Sequence, residues 1–111
     1  MGRGSRARPS RGWFGWLNVI ICSAAELDYT KSLKWYAERS IDAANDFDAE
    51  FDRAISQIAR APEGYPMCDS RHRYFLLRRF PFRIIYRIVV SDIVVIAVAH
   101  GSRSPDYWAK R

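Results

Sequence analysis

The sequence predicts an α+β fold in which a helical hairpin lies on one face of a sheet. Three observations predict it. Apolar residues between positions 24 and 58 recur at helical spacing. After position 66 the pattern changes to period two and to β-branched residues. A short β-branched run, Val19-Ile20-Ile21, precedes both. Packing the apolar face of the helices against the apolar face of the strands buries both patterns at once.

The elements follow in order. Leu17–Cys22 reads as a first strand. Ser23 and Glu26 stand three apart, the spacing of a capping box, and predict a helix over Ala24–Arg39. Ala25, Tyr29, Ser32, Leu33 and Tyr36 share one face of it. Ser40–Ala43 makes a tight turn, with Asp42 as the expected N-cap. In the second helix Ala44, Phe47, Phe51, Ala54, Ile55 and Ile58 form an apolar stripe. Asp46, Asp48, Glu50 and Asp52 sit in its early turns, where the helix dipole favours negative charge. Pro62 and Gly64 end it. The short link makes the two helices an antiparallel hairpin.

Three strands are predicted next: Arg73–Arg79, Phe82–Val90 and Ile93–Ala99. Pro81 lacks a backbone donor and belongs at a strand boundary. Ser91-Asp92 is read as the tight link between the last two strands. Phe82, Ile84, Tyr86 and Ile88 line one face of the middle strand. Ile93–Ala99 is apolar throughout, as befits a central strand covered on both sides. The last three strands form an antiparallel meander.

At 111 residues the chain has room for one domain, expected over residues 16–111. Residues 1–15 hold four arginines, no acid and little apolar content, and are expected to form a disordered basic tail. A signal-peptide reading of Arg-rich start, Trp13–Cys22 and a small-residue site at Cys22-Ser23-Ala24 competes with this. The apolar stretch is short, however, Asn18 interrupts it, and cleavage would remove the first strand. No apolar run reaches the roughly 20 residues of a membrane span. Cys22 and Cys68 lie far apart with no CxxC, which excludes a disulfide-dense scaffold and leaves a zinc site without enough ligands. No metal and no cofactor are expected, and no glycine-rich phosphate loop occurs.

The net charge of +6 is unevenly spread. Residues 16–64 carry nine acids and five bases, whereas residues 65–111 carry nine bases and three acids. A basic last third attracts polyanions or an acidic protein segment. The candidate binding residues are Arg73, Arg78, Arg79, Arg83, Arg87, Arg103 and Trp108. If the chain cleaves RNA, it needs a base for the 2′-hydroxyl, an acid for the leaving oxygen and cations for the phosphorane. Arg83, His100, Arg103 and Tyr107 are the candidates for those roles. No acidic partner for His100 is obvious in the last third beyond Asp92 and Asp106.

Several segments together resemble the RelE/ParE toxins of type II toxin–antitoxin systems. They are Trp35-Tyr36-Ala37-Glu38-Arg39-Ser40, Phe47 to Pro62, Arg78-Arg79-Phe80-Pro81-Phe82-Arg83-Ile84-Ile85-Tyr86-Arg87, and the tail His100-Gly101-Ser102-Arg103-Ser104-Pro105-Asp106-Tyr107-Trp108. The resemblance spans about residues 17–111. The long hairpin and the His-x-x-Arg-x-Pro-x-x-Trp tail look closer to ParE, the plasmid-stabilisation side of the family. That resemblance implies a cytoplasmic bacterial toxin that arrests growth by binding DNA gyrase, without a catalytic site of its own. The RelE side implies instead a ribosome-dependent mRNA endoribonuclease. Either way the resemblance implies a cognate antitoxin, ParD-like or RelB-like, whose C-terminal segment wraps the sheet and hairpin.

Overall fold

The longest apolar run of the sequence takes the centre of the sheet. The computed structural model describes residues 5–7, 18–101 and 106–111. Its strands are β1 (Ser5–Ala7), β2 (Asn18–Cys22), β3 (Arg73–Leu76), β4 (Phe82–Val89) and β5 (Asp92–His100), in the spatial order β1-β2-β5-β4-β3. β5 is parallel to β2 and antiparallel to β4, and β3–β4 and β1–β2 are antiparallel. The helices are α1 (Ser23–Ala37), α2 (Ile41–Arg60) and a short α3 (Asp106–Ala109). The expected strand, helical hairpin and three-strand meander are all present. Within the stretch read as a tail, Ser5–Ala7 pair with the outer edge of β2, whose backbone groups offer a ladder to any extended segment. The rest of that stretch lies outside the described residues.

β5 is covered on both faces, and a bulge shifts its alternation part-way along. Ile85 pairs with Ala97 but Tyr86 pairs with Val95, so Ile96 is an extra residue that changes the parity of the strand. Ile93, Val95 and Val98 join the core under the helices, while Ile96 and Ala99 join a second core on the opposite face. α3 supplies the cover there through Trp108, which packs with Ile85, Ile96 and Ala99.

The hairpin core is aromatic. Phe47, Phe51 and Ile58 are fully buried. Tyr29, Tyr36, Phe80 and Phe82 surround Phe47 with ring centroids 5.2–5.7 Å away. Truncating a buried phenylalanine of this kind costs about 3–5 kcal/mol.

Four local expectations are corrected. α1 starts directly at the end of β2 with Cys22 as N-cap and no side-chain cap bond. Ser23 is already in the first turn, so the Ser23–Glu26 capping box does not form. The N-cap of α2 is Ser40 and not Asp42: the Ser40 hydroxyl accepts the Ala43 N–H at 3.1 Å, and Asp42 instead sits in the first turn. β3 stops at Leu76 because the Glu50 carboxylate takes the N–H groups of Arg78 and Arg79 away from the ladder. The β4–β5 turn is Val90-Ser91, since Val89 pairs with Asp92. Val90 there adopts φ 56°, a conformation costly for a β-branched residue.

Candidate binding surfaces of the sheet and hairpin

Alternation along β4 sorts the candidate residues between two faces. Phe82, Ile84, Tyr86 and Ile88 point to the helices, which leaves Arg83 and Arg87 on the opposite, outer face. Register extends the assignment. Arg73 lies opposite Tyr86 and shares the helix side, whereas Leu76 lies opposite Arg83 on the outer side. His100 lies opposite Phe82, and their rings meet edge to face at 5.1 Å, so His100 belongs to the helix side.

The arginines divide by what they hold. The Arg73 guanidinium donates to the carbonyls of Tyr65 at 2.7 Å and Glu63 at 3.2 Å, pinning the turn after α2. Beside it the buried Tyr86 hydroxyl donates to the Pro62 carbonyl at 2.6 Å. Burial pushes the Tyr86 phenol up to about 12, against a smaller opposing pull from Arg73. Arg79 pairs with Asp46 at 3.2 Å and with Glu50 at 3.8 Å. Arg83 stacks over Tyr74 with 5.1 Å to the ring centroid. Arg78, Arg83 and Arg87 have no carboxylate partner among the described residues. Arg78 is exposed and Arg83 half-buried, so their charge can meet an external anion, whereas Arg87 Nη1 is shielded from solvent. Arg103 lies outside the described residues.

The remaining candidates serve the fold. Trp108 is 6% exposed and sits in the outer-face core, so its indole is not a docking surface, contrary to the expectation for it. Tyr107 donates to the Val98 carbonyl at 3.5 Å and lies under the Arg111 guanidinium. Arg83 and His100 project to opposite faces of the sheet and do not converge on one reacting atom.

Residues missed in the sequence organise the region. β2 pairs with β5 only as far as Val95, leaving the far half of that edge open. Asp28 on α1 closes it, accepting the Val98 N–H at 3.1 Å and the Arg111 guanidinium at 2.9 Å. Arg111 in turn donates to the Ile96 carbonyl at 3.0 Å. His72, 2% exposed, meets Trp108 edge to face at 5.5 Å and bonds Asp69 through Nδ1 at 2.9 Å. The Arg71 N–H, and after it His72, holds the Asp69 carboxyl below its ordinary range. Burial, then the Asp69 charge, pushes the Cys68 thiol up. Cys22 and Cys68 are not bridged. No three His, Cys, Asp or Glu side chains converge as metal ligands among the described residues. No described helix is long and apolar enough to cross a membrane.

One exposed surface on α1 joins apolar and basic groups. Leu27 and Trp35 are 55% and 51% exposed, and Lys31 and Lys34 share their side of the helix. The Arg39 guanidinium lies 3.8 Å from the Trp35 ring centroid.

Comparison with known proteins decides the family. The family model described as "ParE toxin of type II toxin-antitoxin system, parDE" matches residues 19–105. The chain belongs to the ParE toxin family. The matched span runs from β2 past the end of β5 and so takes in the hairpin and the meander of this ParE toxin. Among solved structures it is similar to a chain of "Chromosomal ParDE TA system from P. aeruginosa". The TM-score is 0.56 and the identity 21%, over 72% of this chain and 90% of that one. At that identity the likeness concerns the ParE fold alone. No curated protein gives a significant match.

Proposed function

We propose that this ParE-family toxin arrests growth by binding DNA gyrase and is neutralised by a cognate ParD-like antitoxin. The observation that carries the reading is the divergence of Arg83 and His100 onto opposite sheet faces. General acid–base cleavage needs both groups within hydrogen-bond reach of one scissile phosphate. Binding needs only accessible basic groups, and the exposed Arg78 and the half-buried Arg83 are such groups. The resemblance to ParE, and not to RelE, supports gyrase over the ribosome and mRNA as target. An antitoxin partner is supported by membership of the parDE family and by the ParDE pairing of the similar solved structure.

The Leu27–Trp35 stripe with its flanking lysines suits an acidic amphipathic segment of the antitoxin. Induction of the toxin alone in a bacterial host tests the reading. The expected result is growth arrest with a DNA-damage response, abolished by co-expression of the antitoxin. Arrest with cleaved mRNA and no damage response would instead support the RelE-like endoribonuclease. Normal growth would remove both.

A further inference from the structure

The loop between β3 and β4 is pinned along its whole length. Glu50, 5% exposed on α2, accepts the backbone N–H groups of Arg78 and of Arg79, the latter at 3.1 Å. Leu77 donates its N–H to the Phe82 carbonyl at 3.0 Å and closes the neck of the loop. The Phe80 ring lies edge to face with Tyr36 at 5.1 Å and with Phe47 at 5.3 Å. Gly101, just past β5, donates to the Pro81 carbonyl at 2.8 Å. A carboxylate buried as deeply as that of Glu50 carries a desolvation cost that an apolar contact between α2 and the loop would avoid. What the carboxylate adds is a fixed direction for two successive backbone N–H groups.

The two arginines of the loop differ in what their side chains meet. The Arg79 guanidinium is tied back to Asp46 at 3.2 Å and to Glu50 at 3.8 Å. Arg78 is exposed and meets no carboxylate among the described residues. A free planar fork of N–H donors thus stands on a backbone pinned at its own N–H. That fork matches the two oxygens of a carboxylate. Duplex DNA would instead engage a row of cations along its phosphates. Here the neighbouring Arg79 is neutralised, and Asp42 and Asp46 are exposed on the helix that carries Glu50. A protein carboxylate suits one guanidinium in such surroundings, and a polyphosphate does not. We propose that Arg78 contacts a carboxylate on the protein target of the toxin, and that Glu50 is the residue that positions Arg78. The identity of that target as gyrase rests on the function proposed above.

The test compares variants of the full chain in supercoiling by purified gyrase. Arg78→Ala leaves the backbone N–H on Glu50, so the loop keeps its clamp. The half-inhibitory amount should rise at least about tenfold in Arg78→Ala and stay at the native value in Arg53→Ala, an exposed arginine of α2. Arg78→Lys keeps the charge without the fork and should fall between. Glu50→Gln should also weaken inhibition, but should add nothing to Arg78→Ala, because it acts through that side chain. Additive losses would make Glu50 a support of the fold alone and overturn its positioning role. Should Glu50→Gln fail to fold, Glu50→Asp takes its place in the cycle. Antitoxin affinity, measured by calorimetry, should be unchanged in Arg78→Ala. Native inhibition by Arg78→Ala overturns the contact and leaves the gyrase reading standing. A loss confined to antitoxin binding, or to binding of duplex DNA by the toxin alone, overturns it as well. If the native chain leaves supercoiling intact, the gyrase reading fails by itself. Arg78→Ala should then still relieve growth arrest on induction, and undiminished arrest, or a native chain that arrests nothing, overturns the contact too.

Discussion

Replacing Asp28 with alanine should destabilise the protein far more than a mid-helix carboxylate ordinarily would. The Asp28 side chain is 15% exposed, and its removal strands two donors. The Val98 N–H loses its acceptor at 3.1 Å in the stretch of β5 that β2 does not reach. An orphaned buried donor costs about 1–3 kcal/mol. Arg111 loses an ion pair whose partners are 23% and 15% exposed, between the surface and the buried limits, and keeps the Ile96 carbonyl and the Tyr107 ring. Together the loss is about 3 kcal/mol. Arg111→Ala removes the ion pair but leaves Asp28 on Val98, and should cost about 1–2 kcal/mol. Urea unfolding followed by tryptophan fluorescence measures both. Asp28→Ala should lower the midpoint by about 2 M, taking a slope of about 1.5 kcal/mol per M. A double-mutant cycle should return a coupling of about 1 kcal/mol. A loss below about 1 kcal/mol for Asp28→Ala, or a larger loss for Arg111→Ala, would refute the idea that α1 completes the sheet edge.

Three further outcomes follow from the same structure. Trp35→Ala should weaken antitoxin binding by about thirtyfold in a calorimetric titration with little change in unfolding midpoint, because the indole is half exposed and is the largest apolar group of the stripe. Val90→Gly should raise stability by about 1 kcal/mol in the same urea assay, since the side chain is 96% exposed and the backbone sits at φ 56°. The Tyr86 phenol titrates higher in the fold, at about 12, than in the unfolded chain at about 10. The unfolded state therefore releases its proton first, and stability falls as pH rises from about 10 to about 12. Tyr86→Phe should lose that alkaline dependence.

Local patterns made the architecture legible in the sequence. The stripe from Ala44 to Ile58 repeats over four turns, and all of its apolar members are buried. The continuous apolarity of Ile93–Ala99 marked β5 as a strand covered on both faces, and two cores meet on it. The bulge at Ile96 was invisible for the same reason: an unbroken apolar run hides a change of parity. The clips of Asp28 to Val98, Arg111 to Asp28 and Glu50 to Arg78 join residues 70, 83 and 28 positions apart, beyond any periodicity. Where the candidate residues sit was not legible. Charge bias singled out the arginines, yet pleat and register put Arg83 and His100 on opposite faces, and the return of α3 over the sheet buries Trp108. The burial of His72 against Trp108 required the C-terminal helix to fold back, which no local pattern shows.

Supercoiling of relaxed plasmid by purified gyrase, with the toxin added in increasing amounts, tests the central claim most directly. Loss of supercoiling in proportion to toxin, restored by stoichiometric antitoxin, is the predicted result. Undiminished supercoiling at amounts that cleave mRNA in a translating extract would contradict it.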